Sequence, residues 1–191
     1  MSSDVTELRE KILAYPKEKC LFYYRYILDY LGSREVRNYS HTSKIIRRCK
    51  DDDFERILEL NYTCFGNKKD YQIKKYPKLF RNICYVCEAN GRIVAFMGFY
   101  VHIKFVGLKR VHQATAYSLC VDPSMRGKGT VLTLINESLK ELKNNNVRSV
   151  RGCIDVNNPQ SLIVHQRFGF KIIERNDKLC GAETYKIELI F

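Results

Sequence analysis

Residues 121–133 read VDPSMRGKGTVLT, which sets an arginine, a lysine and two glycines between a strand-like run and an amphipathic one. Upstream, QATAYSLCV (113–121) is rich in strand formers. Downstream, Val131, Leu132, Ile135, Leu139 and Leu142 recur at the three-and-four spacing of a helix. Glycines at such a junction let the backbone approach a ligand closely, and a helix start leaves several N–H groups unpaired. Those amides, the helix dipole, Arg126 and Lys128 together suit an anion, above all a phosphate. The competing reading is a surface turn in which Gly127 and Gly129 serve geometry alone. The stretch lacks the Lys-Ser/Thr ending of a nucleotide P-loop and the three-glycine fingerprint of a dinucleotide fold, which leaves a pyrophosphate presented in some other way.

A second stretch, NNPQSLIVHQRFGF (157–170), also combines helix punctuation with chemistry. Asn158 suits an N-cap and Pro159 the first helical position. His165 falls late in that helix. An imidazole near its reference pKa is partly protonated at neutral pH and can deliver a proton, but the same ring in a short helix can simply pack. Cys84-x-x-Cys87 has no second pair and no adjacent histidine, so packing is expected there and no metal.

The elements around these stretches mix helices and strands. Residues 4–31 read as helical in two pieces broken near Pro16, with aromatics crowded at Phe22, Tyr23, Tyr24, Tyr26 and Tyr30. That segment is expected to pack on the main domain or to wall a substrate site. Polar residues 32–42 read as a linker. A short strand (SKIIRRC), a helix opened by three aspartates and a second helix near 69–80 come next. A hairpin turning at Asn90-Gly91 and a strand ending at Val121 precede the glycine-marked helix. Another strand, the Asn158 helix and two closing strands complete the chain. This order predicts an α+β fold with a mixed sheet, an N-terminal helical extension and linker over 1–43, and one domain over 44–191.

The chain has 191 residues and a net charge of +12; with seven basic and six acidic residues in 1–43, the portion from 44 onward carries +11 of it. An anionic ligand or partner is therefore favoured, nucleic acid or a ribonucleoprotein among the candidates. Nothing approaches a transmembrane length, and the N-terminus lacks the basic-then-apolar order of a secretory signal. Eight cysteines spread through core-like segments fit reduced thiols. A cytoplasmic protein is expected, with no membrane partner and no prediction of oligomeric state.

Together the two motifs resemble the GNAT superfamily of acyl-CoA N-acyltransferases. The family's pyrophosphate signature stands here as Arg126-Gly127-Lys128-Gly129-Thr130-Val131 after Leu119-x-Val121-x-Pro123, with Val131 in place of a small residue. Its later Asn-x-x-Ala-x-x-x-Tyr and Gly-Phe pattern corresponds to Asn158, Ser161, His165 and Gly169-Phe170. The resemblance implies an acyl-CoA N-acyltransferase-like sheet, splayed between the strand ending at Val121 and the strand near Cys153, and flanked by helices. It implies acetyl-CoA as acyl donor, its phosphates on residues 126–131 and its pantetheine arm beside Leu119, Cys120, Val121 and Asn158. It also implies direct attack by an amine acceptor, with His165 at the place of the residue that protonates the leaving thiolate. Relatives place a base four or six residues before the valine; here those positions are Tyr117 and Thr115, neither a natural base near neutral pH. His112, His102 and Glu88 remain open as bases. The alternatives to an N-acetyltransferase are a CoA-binding or interaction module without turnover and a nucleic-acid-associated basic protein.

Overall fold

In the computed structural model, residues 17–36, 45–66, 70–179 and 182–191 are described. Helix α1 (Lys17–Arg34) follows Pro16, and the first half of the expected N-terminal helical segment lies outside the described residues. The helix continues through Gly32 and Ser33, past the point where a linker was expected. The cause is tertiary. The Ser33 hydroxyl accepts the Val101 N–H at 2.9 Å, and a Cβ on Gly32 would stand 2.4 Å from the Val101 carbonyl oxygen.

The main sheet has seven strands: β1 (Ile46–Arg48), β2 (Cys84–Ala89), β3 (Arg92–Val106), β4 (Lys109–Val121), β5 (Val147–Asp155), β6 (Lys171–Leu179) and β7 (Ala182–Ile190). They lie in the order β1-β2-β3-β4-β5-β7-β6. Asn90 and Gly91 both hold positive φ, 52° and 70°, as a two-residue hairpin turn requires, and join β2 to β3. The β3–β4 ladder is long and antiparallel, whereas β4 and β5 run parallel because the helix α4 (Thr130–Asn144) crosses between them. Helices α2 (Phe54–Phe65) and α3 (Asp70–Leu79) precede the hairpin, and α5 (Pro159–Arg167) precedes β6.

The core forms where the inward residues of β2–β5 meet the apolar faces of these helices: Ile57 and Leu60 of α2, Leu134, Ile135 and Leu142 of α4, and Phe96, Met97 and Phe99 of β3 are all essentially excluded from water. Cys84 and Cys87 are both buried there and three residues apart on one strand. Strand alternation sends their side chains to opposite faces, so they do not converge on a common ligand. Among the described residues no helix is long and apolar enough to cross a membrane, and no group of three or more His, Cys, Asp or Glu is arranged for a metal ion.

Two features of the sheet position the site. Pairing of β4 with β5 covers only His112–Thr115 against Val147–Arg151; beyond it the two strands part, leaving the β5-facing edge of residues 116–121 unpaired with β5. The sheet is therefore splayed. Beta-3 also outruns β2, whose last pair is Cys84 with Gly98, and the end of α1 lies against the overhang through Gly32 and Ser33.

Candidate active site

The turn at one mouth of the splay is built for close approach. Asp122 accepts a hydrogen bond from the Ser124 N–H, closing a short 3-10 turn (Pro123–Met125) that delivers Arg126 and Lys128, both exposed. Gly127 and Gly129 hold φ of 76° and 78°, and a Cβ at either would meet nothing within 4 Å. Left-handed backbone beside open space is what an anion cradle needs. The first bonds of α4 run from Leu132 and Thr133 to the Gly129 carbonyl, so the amides just before them face outward at the positive end of the helix dipole. Val131 packs its side chain against the core.

Arg126 also lies 3.8 Å from the Cys64 sulfur at the end of α2. A hydrogen bond from Cys120, followed by the Val121 backbone and Arg126, holds the Cys64 thiol down at about 6 against the opposing effect of its partial burial. The thiolate is the reactive form, so alkylation of Cys64 by iodoacetamide should rise through pH 6 and level off above it, well below the ordinary cysteine range. Peptide mapping across pH 5–9 reads this directly. Arg126→Ala should move the midpoint upward, and a midpoint near 8.5 in the unaltered protein would contradict the arrangement.

At the vertex of the splay lies a chamber of about 490 Å³. Tyr24, Arg25, Leu28 and Asp29 of α1 form one wall; His102 and Lys104 of β3, Gln113 and Thr115 of β4, Arg151 to Cys153 of β5 and Lys186 of β7 form the rest. The N-terminal helix thus walls the chamber.

The sequence-stretch candidates separate sharply on this frame. Leu119, Cys120 and Val121 lie on the stretch of β4 that has no β5 partner, and Arg126 to Val131 follow it into α4. Asn158 caps α5, its side chain accepting the Ser161 N–H at 3.0 Å. Tyr117 sits at a bulge, skipped where Gly98 pairs with Ser118 and Phe99 with Ala116. Its ring is buried over Gly98 and its hydroxyl lies 3.1 Å from the Cys84 sulfur, with burial pushing its pKa well above the usual phenol value. The core, not the chamber, receives this side chain. His112 pairs across from Ile103, which puts it on the opposite face from His102 and Thr115, and its Nε2 is 2.8 Å from Glu35. Glu88 is held by Arg47 near the far hairpin.

His165 is buried and its ring stands edge-on to Phe170 at 5.3 Å. Its Nδ1 lies 2.7 Å from the Ser161 carbonyl oxygen, which can only accept, so Nδ1 carries the proton and the neutral ring has none on Nε2. Burial lowers its pKa as well. The ring is therefore held neutral and donates its one proton to the helix backbone, a poor arrangement for protonating a thiolate. His165→Phe is expected to keep kcat within about threefold, because loss of a working general acid typically costs on the order of 10² or more. A larger fall, with chemistry rate-limiting and CoA affinity unchanged, would return His165 to the reaction.

Asp29 was obscured in the sequence because it lies in the extension, whereas His102 was one of the three bases left open there. The Nδ1 of His102 stands against the Asp29 carboxylate, and its Nε2 is 3.2 Å from the Thr115 hydroxyl.

The splayed mixed sheet flanked by helices is an acyl-CoA N-acyltransferase-like fold. Residues 45–181 match the family model described as an acetyltransferase (GNAT) domain, and the chain belongs to that family. It is 26% identical to an uncharacterized N-acetyltransferase of Methanocaldococcus jannaschii, over 73% of this chain and 66% of that one, so the match spans just under two thirds of the relative. The fold is also that of Arabidopsis thaliana Naa50 in complex with the bisubstrate analogue CoA-Ac-MVNAL (TM-score 0.65, 18% identity, 76% of this chain and 97% of that one). Arabidopsis thaliana NAA60 in complex with acetyl-CoA is similar too (TM-score 0.61, 16% identity, 76% and 98%).

Proposed function

We propose that this protein transfers an acetyl group from acetyl-CoA to an amine by direct attack. One observation carries the reading: the unpaired edge of β4 leads from the cradle at Arg126–Val131 to the chamber beside Thr115, so a donor and an acceptor can meet there from opposite sides. Acetyl-CoA would set its phosphates on the amides of the cradle beside Arg126 and Lys128, and its pantetheine arm along Leu119 to Val121, with Asn158 across the gap. Backbone N–H groups of that open edge are suited to hold the oxygen that turns negative as the tetrahedral species forms. The chamber on the α1 side takes the acceptor. Naa50 with its peptide-bearing analogue supports a peptide N-terminus as one acceptor class worth testing first.

The experiment is release of CoA thiol from acetyl-CoA in the presence of a panel: peptides with free N-termini, lysine-bearing peptides with blocked N-termini, polyamines and aminoacyl compounds. Isothermal titration with CoA runs beside it. Turnover with one class above the no-acceptor rate is expected. CoA binding without thiol release from any amine would overturn the proposal.

A further inference from the structure

The geometry points to His102, held by Asp29, as the base that takes the proton from the acceptor amine. This inference rests on the function just proposed and assigns a role that the two motifs leave vacant. An ammonium has no lone pair, so an acceptor bound at neutral pH must lose a proton before or during attack.

The arrangement of the pair fits that task. Asp29 is one of the less exposed carboxylates, with 14% of its side chain open to solvent, and its Oδ1 stands in close contact with His102 Nδ1. A carboxylate oxygen at Nδ1 puts the ring proton there, which leaves the lone pair on Nε2. That atom faces Thr115, on the same side of β4 as the chamber and at the last residue before the strands part. The Thr115 hydroxyl is its partner until an amine takes that place. With 27% of its side chain exposed, His102 can return an acquired proton to water.

The charged and titratable surroundings are mixed. Tyr24, Arg25 and Asp29 line the chamber from α1, and Tyr100 and Lys104 flank His102 on β3, the Tyr100 ring 4.8 Å away. Gln113 and Thr115 come from β4, Arg151 and Cys153 from β5, and Lys186 from β7. Glu188 neutralises Arg151 and Glu174 pairs with Lys186, whereas Lys104 donates to the Gln113 amide oxygen, and burial lowers its pKa despite the nearby Glu188 charge. These cations disfavour a second positive charge, so they favour the neutral form of a bound amine. Asp29 opposes them locally, and it is Asp29 that lets His102 accept the proton the amine sheds.

The bound ammonium first gives a proton to His102 Nε2, which frees the nitrogen lone pair, and the imidazolium passes that proton to solvent. The lone pair attacks the thioester carbon, a C–N bond forms, and the carbonyl π pair moves to oxygen. Collapse re-forms the carbonyl and breaks the C–S bond, whose electrons leave with sulfur. The second nitrogen proton leaves to solvent and the thiolate takes one from solvent, so each turnover releases one proton.

The test uses the full chain and, as probe, the panel amine that releases thiol fastest. Initial rates from pH 5.5 to 10 are compared in the unaltered protein, His102→Gln and Asp29→Asn, with CoA affinity and thermal midpoints measured on each. His102→Gln is expected to lower kcat by roughly 10² to 10⁴ and to abolish the ionisation that shapes the acid limb, with CoA affinity unchanged. Asp29 acts by positioning. Asp29→Asn should lower kcat with KM for the amine and CoA affinity unchanged, and Asp29→Glu should recover part of the loss. A merely structural role predicts a lowered thermal midpoint and no such split. If unaltered protein turns over and His102→Gln, folded and CoA-competent, keeps the rate and pH profile, this inference is overturned and the acetyltransferase reading stands. If no amine releases thiol, both fall together.

Discussion

Gly129→Val is expected to weaken CoA binding by roughly 100-fold while the protein stays folded. Gly129 precedes α4 at φ 78° and ψ −4°, where a β-branched residue is strained by about 1–3 kcal/mol. Its Cβ would project into space that no protein atom occupies. The substitution therefore distorts the amides of the cradle and fills the approach to them. A hydrogen bond to a charged group contributes about 1.5–3 kcal/mol, and each 1.4 kcal/mol is tenfold in affinity, so strain plus one lost contact reaches the expected size. Leu134, Ile135 and Leu142 keep the helix anchored in the core, so the thermal midpoint should fall by only a few degrees. Arg126→Ala removes a charge but leaves the amides, and should cost about tenfold with a shallower salt dependence. Titration with CoA at two ionic strengths decides the matter: unchanged affinity in Gly129→Val would place the phosphates elsewhere.

The second large effect concerns the acceptor side. On helix propensity alone Gly32→Ala should stabilise α1 by up to about 1 kcal/mol. Here the sign is expected to reverse. The new methyl would stand 2.4 Å from a backbone oxygen of Val101 and 3.1 Å from the Ile103 side chain, so α1 must shift off β3. Overpacking of this kind costs about 1–3 kcal/mol. The shift carries Tyr24 and Asp29 with it, so turnover with the amine should fall at least tenfold while CoA affinity holds, because the cradle lies on other elements. A thermal melt paired with steady-state rates reads both. A stabilised, fully active Gly32→Ala protein would mean that α1 is not docked as described.

The cradle was legible in the sequence because its causes are local: two glycines, two cations and a helix start fall within a few residues. The Asn90-Gly91 hairpin was legible for the same reason. His112 and Tyr117 were harder. Whether a strand residue faces the chamber depends on parity, and parity is reset by the bulge at Tyr117 and fixed at His112 by its partner Ile103. Neither the bulge nor the register leaves a mark in composition. His165 matched its motif, yet its proton is committed to Ser161, a consequence of ring orientation that spacing does not encode. Asp29 and His102 meet only because β3 outruns β2 and α1 fills the gap. Gly32 looked like a linker residue and is helical for the same long-range reason.

That overhang of β3 bears on what happens to a shortened chain. From Phe99 onward the strand has no β2 residue beside it, and Val101 offers its N–H to Ser33 instead. Phe105 and Val106, near its tip, are largely exposed. A chain begun at residue 45, where the family match starts, would present this edge bare, with unsatisfied backbone donors and acceptors and apolar side chains at its end. Such an edge recruits the same edge of another molecule. Helix α1 lies against this edge as well as walling the chamber, and the trimmed domain should form strand-paired dimers or aggregates more readily than the longer chain.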